Sequence, residues 1–211
     1  MSKIGKDGRM VTKLQTLSRW VEDHLGGVSH ERRVATIARR LVEETVGFHS
    51  FDSKDLRLLK IAALVHDVGR HEGEKHHPAA GAEMLLSEKS LPLKNRQRRA
   101  LAYLTLYHRG AVPEVGEDGV LRDSDDVERL RTILGFLRAA DGLDCRSMPS
   151  PKVSVRRWGR KIHVACRLIE DTPKARRVFS RRKKFRLLEE MLGCKVVVSF
   201  VGTTRRLRVA A

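Results

Sequence analysis

His66 and Asp67 stand side by side where an apolar stretch ends, in Ala62-Ala63-Leu64-Val65-His66-Asp67-Val68-Gly69-Arg70. Imidazole and carboxylate together suit a borderline or hard divalent ion, and a wall of aliphatic side chains would hold both ligands and keep stray water out. Four further candidates also sit at the start or end of segments that read as helix. His30 lies 36 residues before His66, His77 ten after Asp67, His108 31 further on and Asp141 33 after that. His30, His66, Asp67 and Asp141 would share one ion, and His77 with His108 a second, with Asp67 bridging the two. Cations about 3.5–4 Å apart clamp the attacking and leaving oxygens of an in-line displacement at phosphorus. A phosphoryl group also needs positive charge on its equatorial oxygens, which Arg70, three residues past Asp67, and Arg109, beside His108, would supply. The candidate catalytic residues are therefore Asp67, Arg70 and Arg109. Manganese, iron, nickel, zinc and magnesium all accept His and Asp, so one or two divalent ions are expected without a preference among them. With only one ion, His77 and His108 would instead contact phosphate or support the ligands.

The elements that must position these groups follow from periodicity. Val11, Leu14, Leu17, Val21 and Leu25 recur at helical spacing and Gly26-Gly27 stops that helix. Ser29 is the expected cap of the next, whose inward stripe is Val34, Ile37, Ala38 and Leu41 with His30 in the first turn. Asp52 or Ser53 opens a third helix through Leu59, Ala62 and Val65, closed by His66-Asp67, after which Gly69 permits a sharp turn. Pro78 suits the first turn of a short helix and would place His77, rather than the rival His76, at its mouth. A helix over about 93–107 ends at His108. Asp125 with Glu128 is the expected capping box of another, which carries Leu130, Ile133, Leu134, Leu137 and Asp141. Asp144, one turn later, reads equally as an orienter of a ligand imidazole or as an ordinary helix-end carboxylate.

Beyond Pro149-Ser150-Pro151 the period changes to two. Val153 and Val155, then Ile162, Val164 and Cys166, alternate with polar residues around Arg157-Trp158-Gly159-Arg160, a hairpin pattern. A basic amphipathic helix is expected over about 174–192, and a second strand pair over 196–200 and 207–209. Trp158 and Phe179 read as hairpin or core packing rather than base-stacking groups.

Composition narrows the class. A length of 211 residues allows one substantial core with a small appendage. The longest apolar run is five residues, 61–65, against roughly 20 for a bilayer span, and no apolar stretch follows the basic N-terminus, so a cytoplasmic protein with no membrane partner is expected. Cys145, Cys166 and Cys194 lack metal spacing and read as reduced thiols. Lys and Arg number 43 against 26 Asp and Glu, and a net charge of +17 draws polyanions. The excess peaks at Lys174-Ala175-Arg176-Arg177, at Arg181-Arg182-Lys183-Lys184 and at Arg205, Arg206 and Arg208, so nucleic acid is a possible partner of the basic C-terminal region.

The set His30, His66-Asp67, His77, His108 and Asp141 resembles the HD superfamily of metal-dependent phosphohydrolases over most of residues 29–146. Within it, Ala62-Ala63-Leu64-Val65-His66-Asp67-Val68-Gly69, Tyr107-His108-Arg109-Gly110 and Arg138-Ala139-Ala140-Asp141-Gly142-Leu143-Asp144 are most similar to the HD-type C-terminal region of the exopolyphosphatase/guanosine pentaphosphate phosphatase family. The basic tail from Lys184-Phe185 to Gly193 extends that similarity. The resemblance implies a mainly α fold: an HD-type helical metal-binding domain, 1–148, then a small basic α+β C-terminal subdomain, 149–211. It also implies divalent metal ions and hydrolysis of a phosphomonoester, phosphodiester or phosphoanhydride of a nucleotide-like or polyphosphate substrate. Nothing in the chain resembles the glycine-rich phosphate loops of the actin-like domain that carries exopolyphosphatase chemistry. The Gly-Tyr-Pro element of the cyclic-dinucleotide phosphodiesterases is also missing after His108. A reading from another class is a non-catalytic polyanion-binding regulatory module, holding polyphosphate or RNA on the basic tail beside a structural HD pocket.

Overall fold

The computed structural model describes residues 4–122 and 125–202, with side chains from Leu14 onward. Helix α1 (Ile4–Leu25) turns Leu17 and Val21 into the core and ends where Gly26 takes a positive φ of 69°. Helix α2 (Ser29–Glu44) buries His30, Val34, Ile37, Ala38 and Leu41. The expected cap at Ser29 is corrected: Ser29 is the first helical residue, and Val28 precedes it without a side-chain hydrogen bond. Helix α3 (Ser53–Val65) opens on a reciprocal cap, Asp52 accepting from the Lys54 and Asp55 amides while the Asp55 carboxylate accepts from the Asp52 amide. Helices α4 (Gly73–Ser87), α5 (Asn95–Tyr107) and α6 (Val127–Gly142) follow. The cap of α6 is Asp126, which accepts from the Arg129 amide, and not Asp125. Asp125 is drawn away by the guanidinium of Arg99 at 3.0 Å and by the Arg122 amide at 3.1 Å.

Two expectations near the site also need revision. Pro78 lies inside α4 rather than in its first turn, so His77 sits in the helix and not at its mouth. Gly69 has an ordinary negative φ of −80°, so its freedom is not needed for the turn. What it supplies is closeness, because a Cβ at Gly69 would strike the Gly81 amide nitrogen and the His77 carbonyl of α4.

The C-terminal part holds a three-stranded sheet in the order β1 (Lys152–Trp158), β2 (Lys161–Arg167), β3 (Lys195–Val201). Strands β1 and β2 form the expected hairpin, with Trp158 opposite Lys161 and Gly159 at a positive φ of 54°. Strand β3 returns parallel to β2, with Ile162 opposite Val196. The crossover is not one helix over 174–192: it breaks into α7 (Pro173–Phe179), a 3-10 turn at Arg182–Lys184, and α8 (Arg186–Leu192). Competing side-chain contacts explain the break. Arg182 turns to the Glu189 carboxylate and the Val196 carbonyl at 2.7 Å, while Lys184 reaches Asp141. The strand expected over 207–209, like Arg205, Arg206 and Arg208, lies outside the described residues.

One hydrophobic core runs through both parts, joining Leu41, Leu64, Leu101 and Leu134 to Val155, Val164, Phe179 and Leu188. Gly135 of α6 lets the backbone of Leu188 approach directly, since a Cβ there would lie 3.0 Å from the Leu188 Cα. The architecture is thus mainly helical, with a small α+β portion at its C-terminal end. No helix among the described residues is long and apolar enough to cross a membrane. Cys145, Cys166 and Cys194 are unbridged, the last two buried, and burial pushes the Cys166 thiol up to about 12.

Candidate metal centre

Three of the four histidines are held by one local device. The last carbonyls of a helix have no amide partner, and a proline leaves the carbonyl four residues before it in the same state. His66 and His108 are the C-cap residues of α3 and α5, and their Nδ1 atoms lie 2.9 and 2.6 Å from the carbonyls of Ala63 and Thr105. His77 precedes Pro78, and its Nδ1 lies 2.9 Å from the Glu74 carbonyl that Pro78 frees. A carbonyl only accepts, so Nδ1 carries the proton in each ring and Nε2 offers its lone pair. His30 reaches the same state by another route, its Nδ1 lying 2.7 Å from a carboxylate oxygen of Asp144.

All four Nε2 atoms point into one space with Asp67 and Asp141. Asp141 Oδ1 is 3.5 Å from His30 Nε2 and 3.6 Å from His66 Nε2, and Asp67 Oδ1 is 3.1 Å from His77 Nε2 and 3.5 Å from His108 Nε2. Ligands about 2.0–2.2 Å from a common ion lie roughly 3–3.5 Å from one another, which is close to these separations. Two overlapping groups emerge, His30–His66–Asp67 and Asp67–His77–His108, sharing Asp67. Two further observations show that these side chains suit a cation. His66 Nε2 is buried without any hydrogen-bond partner. The Nε2 atoms of His77 and His108, both acceptors in the tautomers just derived, face each other at 3.1 Å. Opposed lone pairs at that distance repel unless something positive lies between them.

Electrostatics agree. Burial alone would push the Asp67 carboxyl up, but the imidazoles of His66, His108 and His77 outweigh it and hold the group far below the usual range. Asp141 is held low in the same way, chiefly by the ammonium of Lys184 and the imidazoles of His30 and His66. Burial pushes the His108 imidazole down to about 4 and keeps it neutral. His66 is also opposed by burial, yet Asp67 and then Asp141 raise it above its ordinary value. The centre therefore favours one or more positive charges at His66 Nε2 and between the carboxylates.

Arg70 and Arg109 both line the cavity of about 260 Å³ that opens onto His30, Asp67 and Asp141. Each is already paired: Arg70 with Asp67 at 3.2 Å and Glu74 at 2.7 Å, Arg109 with Glu74 at 2.8 Å. Sequence reasoning missed Glu31, Arg146, Glu74 and Lys184. Arg146 bridges Asp67, at 2.9 Å, and the fully buried Glu31. Its position two residues past Asp144, and that of Glu31 beside His30, gave the only available hint. Lys184, which pairs with Asp141, comes from the tail 43 positions later and carried no signal beyond its place in a basic run. Asp144, left open by the sequence, orients His30 and accepts from Arg33 at 3.1 Å.

Comparison with curated proteins finds no match. Comparison with known families matches residues 27–146 to the HD domain, whose members are typically metal-dependent phosphohydrolases. That span is more than half of the chain and contains the two histidine–aspartate groups and Asp141. The chain is a member of the HD domain family.

Proposed function

We propose that the protein is a metal-dependent phosphohydrolase that cleaves a phosphate ester or phosphoanhydride of a nucleotide-like or polyphosphate substrate. The observation that carries this reading is the buried, partnerless Nε2 of His66 among three other converging Nε2 atoms and two ionised carboxylates, with a cation-lined cavity above them. His30, His66, Asp67 and Asp141 would hold one divalent ion, and Asp67, His77 and His108 a second. Bound there, such ions supply Lewis acidity toward phosphoryl oxygens and acidify a water toward neutral pH. The chain itself supplies orientation. The Ala63, Glu74 and Thr105 carbonyls and the Asp144 carboxylate lock the imidazoles, while Arg146 fixes the Asp67 carboxylate between the two groups. Asp67 stays ionised throughout the pH range of interest and so is always available as the bridge. Arg70 and Arg109 would neutralise phosphoryl oxygens, with Glu74 holding both in place. The similarity to the exopolyphosphatase/guanosine pentaphosphate phosphatase region supports phosphoanhydrides within this class.

Metal analysis of the purified protein, with a panel of phosphatase and phosphodiesterase substrates, tests the reading. Metal-dependent hydrolysis is expected, and Asp67→Ala should abolish it with the helical circular dichroism unchanged. A protein that takes up no divalent ion and hydrolyses nothing, yet binds polyphosphate or RNA after Asp67→Ala, would instead be the polyanion-binding module.

A further inference from the structure

Five cations line the metal cavity: Arg70, Arg109, Arg146, Arg181 and Lys184. Four of them are engaged with carboxylates, Arg70 and Arg109 with Glu74, Arg146 with Glu31 and Asp67, and Lys184 with Asp141. Arg181 is different. Its guanidinium pairs with no carboxylate among the described residues, and five donors on a planar fork are free to meet an oxyanion. Its position is also distinctive. Arg181 borders the metal cavity, a groove of about 820 Å³ among α4, α6 and α8, and a third hollow of about 450 Å³ against α7. Lys183, likewise without an ion pair among the described residues, borders both outer hollows.

The segment that presents these groups is fixed by the fold. Arg181 precedes the 3-10 turn Arg182–Lys184, where Arg182 is tied to Glu189 and to the Val196 carbonyl, and Lys184 lies across α6 at Gly142. A Cβ at Gly142 would collide with the Lys184 side chain, so that glycine is what lets the tail lie so close to Asp141. This segment lies outside the span matched to the HD domain.

We infer that Arg181, with Lys183, forms an anion subsite beside the metal centre, which takes a second phosphate of the substrate beyond the reacting phosphoryl group. The substrate class is then an oligophosphate or a molecule with at least two phosphates, not a simple monoester. This rests on the phosphohydrolase reading for the reacting group, but the subsite itself is a matter of binding. Arg181 and Lys183 are specificity-determining residues in this assignment, because Arg70 and Arg109 are given to the reacting phosphoryl group and Arg146 and Lys184 to the carboxylates of the centre.

Two non-hydrolysable probes test it by calorimetry on manganese-loaded protein dialysed free of excess ion: methylphosphonate and methylenebisphosphonate. The bisphosphonate should bind about tenfold or more tightly, the size of one added charge-assisted contact. Arg181→Met combined with Lys183→Met should bring the ratio to below about twofold. Both side chains are exposed, so the fold tolerates the change. Arg156→Met, which removes one positive charge on β1, should leave the ratio as it was and so exclude a general effect of net charge. Equal binding of the two probes by the unaltered protein, or a preference that survives the double substitution, overturns the subsite. Hydrolysis of tripolyphosphate or a nucleoside diphosphate by the same preparation separates the two claims. Without it, a retained bisphosphonate preference sinks the hydrolase reading alone; with it, an absent preference sinks the subsite alone.

Discussion

The metal centre and its rim are built on opposite plans. At the centre, four imidazoles and Asp67 are almost wholly buried, and every ring is locked by a carbonyl of its own helix or by Asp144. At the rim, Arg181 and Lys183 are exposed on a short connection between α7 and α8, and no carboxylate among the described residues restrains them. A buried donor set without freedom to relax suits a task whose geometry never changes, as in holding an ion. A flexible exposed cation suits ligands of varied shape. On the proposed function and the proposed subsite, the chemistry and the choice of substrate would fall to different parts of the chain, the first to helices α2 to α6, the second to the tail.

The sharpest way to break that contrast is to disturb the centre through its backbone. Gly69 touches α4 so closely that an added Cβ must displace the Gly81 amide or the His77 carbonyl, and neither is the end of a flexible side chain. Gly69→Ala should cost about 1–3 kcal/mol of unfolding free energy, toward the upper end because backbone must move. It should also weaken metal binding, since the displaced segment carries His77. Urea unfolding and calorimetric metal titration read the two effects, and a variant as stable as the parent would show that the centre is looser than described. Next in size is Asp144→Asn, which keeps the shape but removes the charge that holds the His30 ring. The loss expected is about 10- to 100-fold in metal affinity with little change in fold, the usual consequence of removing a group that orients a ligand. Unchanged affinity would mean that the helix alone positions His30.

Those same residues show what the sequence could reveal. Five of the six ligand candidates were legible because they sit at or beside a helix boundary, where polar residues interrupt an apolar period, while His77, inside α4, was legible only through the proline next to it. The reason for those positions was not legible. That Pro78 frees the Glu74 carbonyl for His77 depends on α4 starting at Gly73, five residues before the proline, whereas helix-start rules favour the proline itself. Val178, Phe179, Leu187 and Leu188 keep one helical period across the tail, and pairing of Arg182 with Glu189 and of Lys184 with Asp141 breaks it. Long-range pairs of this kind leave no local pattern. Adjacency to Asp67 and His108 is all that points to Arg70 and Arg109 in the sequence, and Glu74, which engages both, emerges only from the packing of α4 against the segment after α5.

A subtler test uses pH on the metal-free protein. His108 is held down at about 4 against an ordinary 6.5, so its contribution to stability is complete above 6.5 and is lost as pH falls toward 4. His66 is raised above 6.5, so its contribution is complete below that value and is lost as pH climbs through its folded pKa. Stability should therefore pass through a maximum near pH 6.5, falling on the acid side because the unfolded chain takes up a proton that His108, buried in a dry pocket, does not accept until lower pH. Urea midpoints at pH 8, 6.5 and 4.5 would trace it, and loading the centre with a divalent ion should flatten the alkaline limb, because the ion replaces the proton that His66 otherwise retains. A midpoint that rises steadily from pH 4.5 to 8 would refute the raised His66.

The smallest effect is expected at a surface charge outside the rim, whose partners are the Asp171 carboxylate and the Phe200 ring, 5.5 Å from its guanidinium. Arg176 forks onto Asp171 through two hydrogen bonds, at 2.6 and 2.7 Å, and its side chain is half exposed. Water screens such a pair almost as well as it would the separated ions, and the cost of holding two long side chains together offsets what remains. Arg176→Ala should leave the urea midpoint and metal affinity where they were, and should not alter the preference for a bisphosphonate, because Arg176 borders none of the three hollows that meet at Arg181. A marked loss of bisphosphonate binding in Arg176→Ala would mean that anion recognition is spread over the whole basic face rather than concentrated at Arg181 and Lys183. The division between a rigid centre and a selective rim would then give way to a rim that acts only through its total charge.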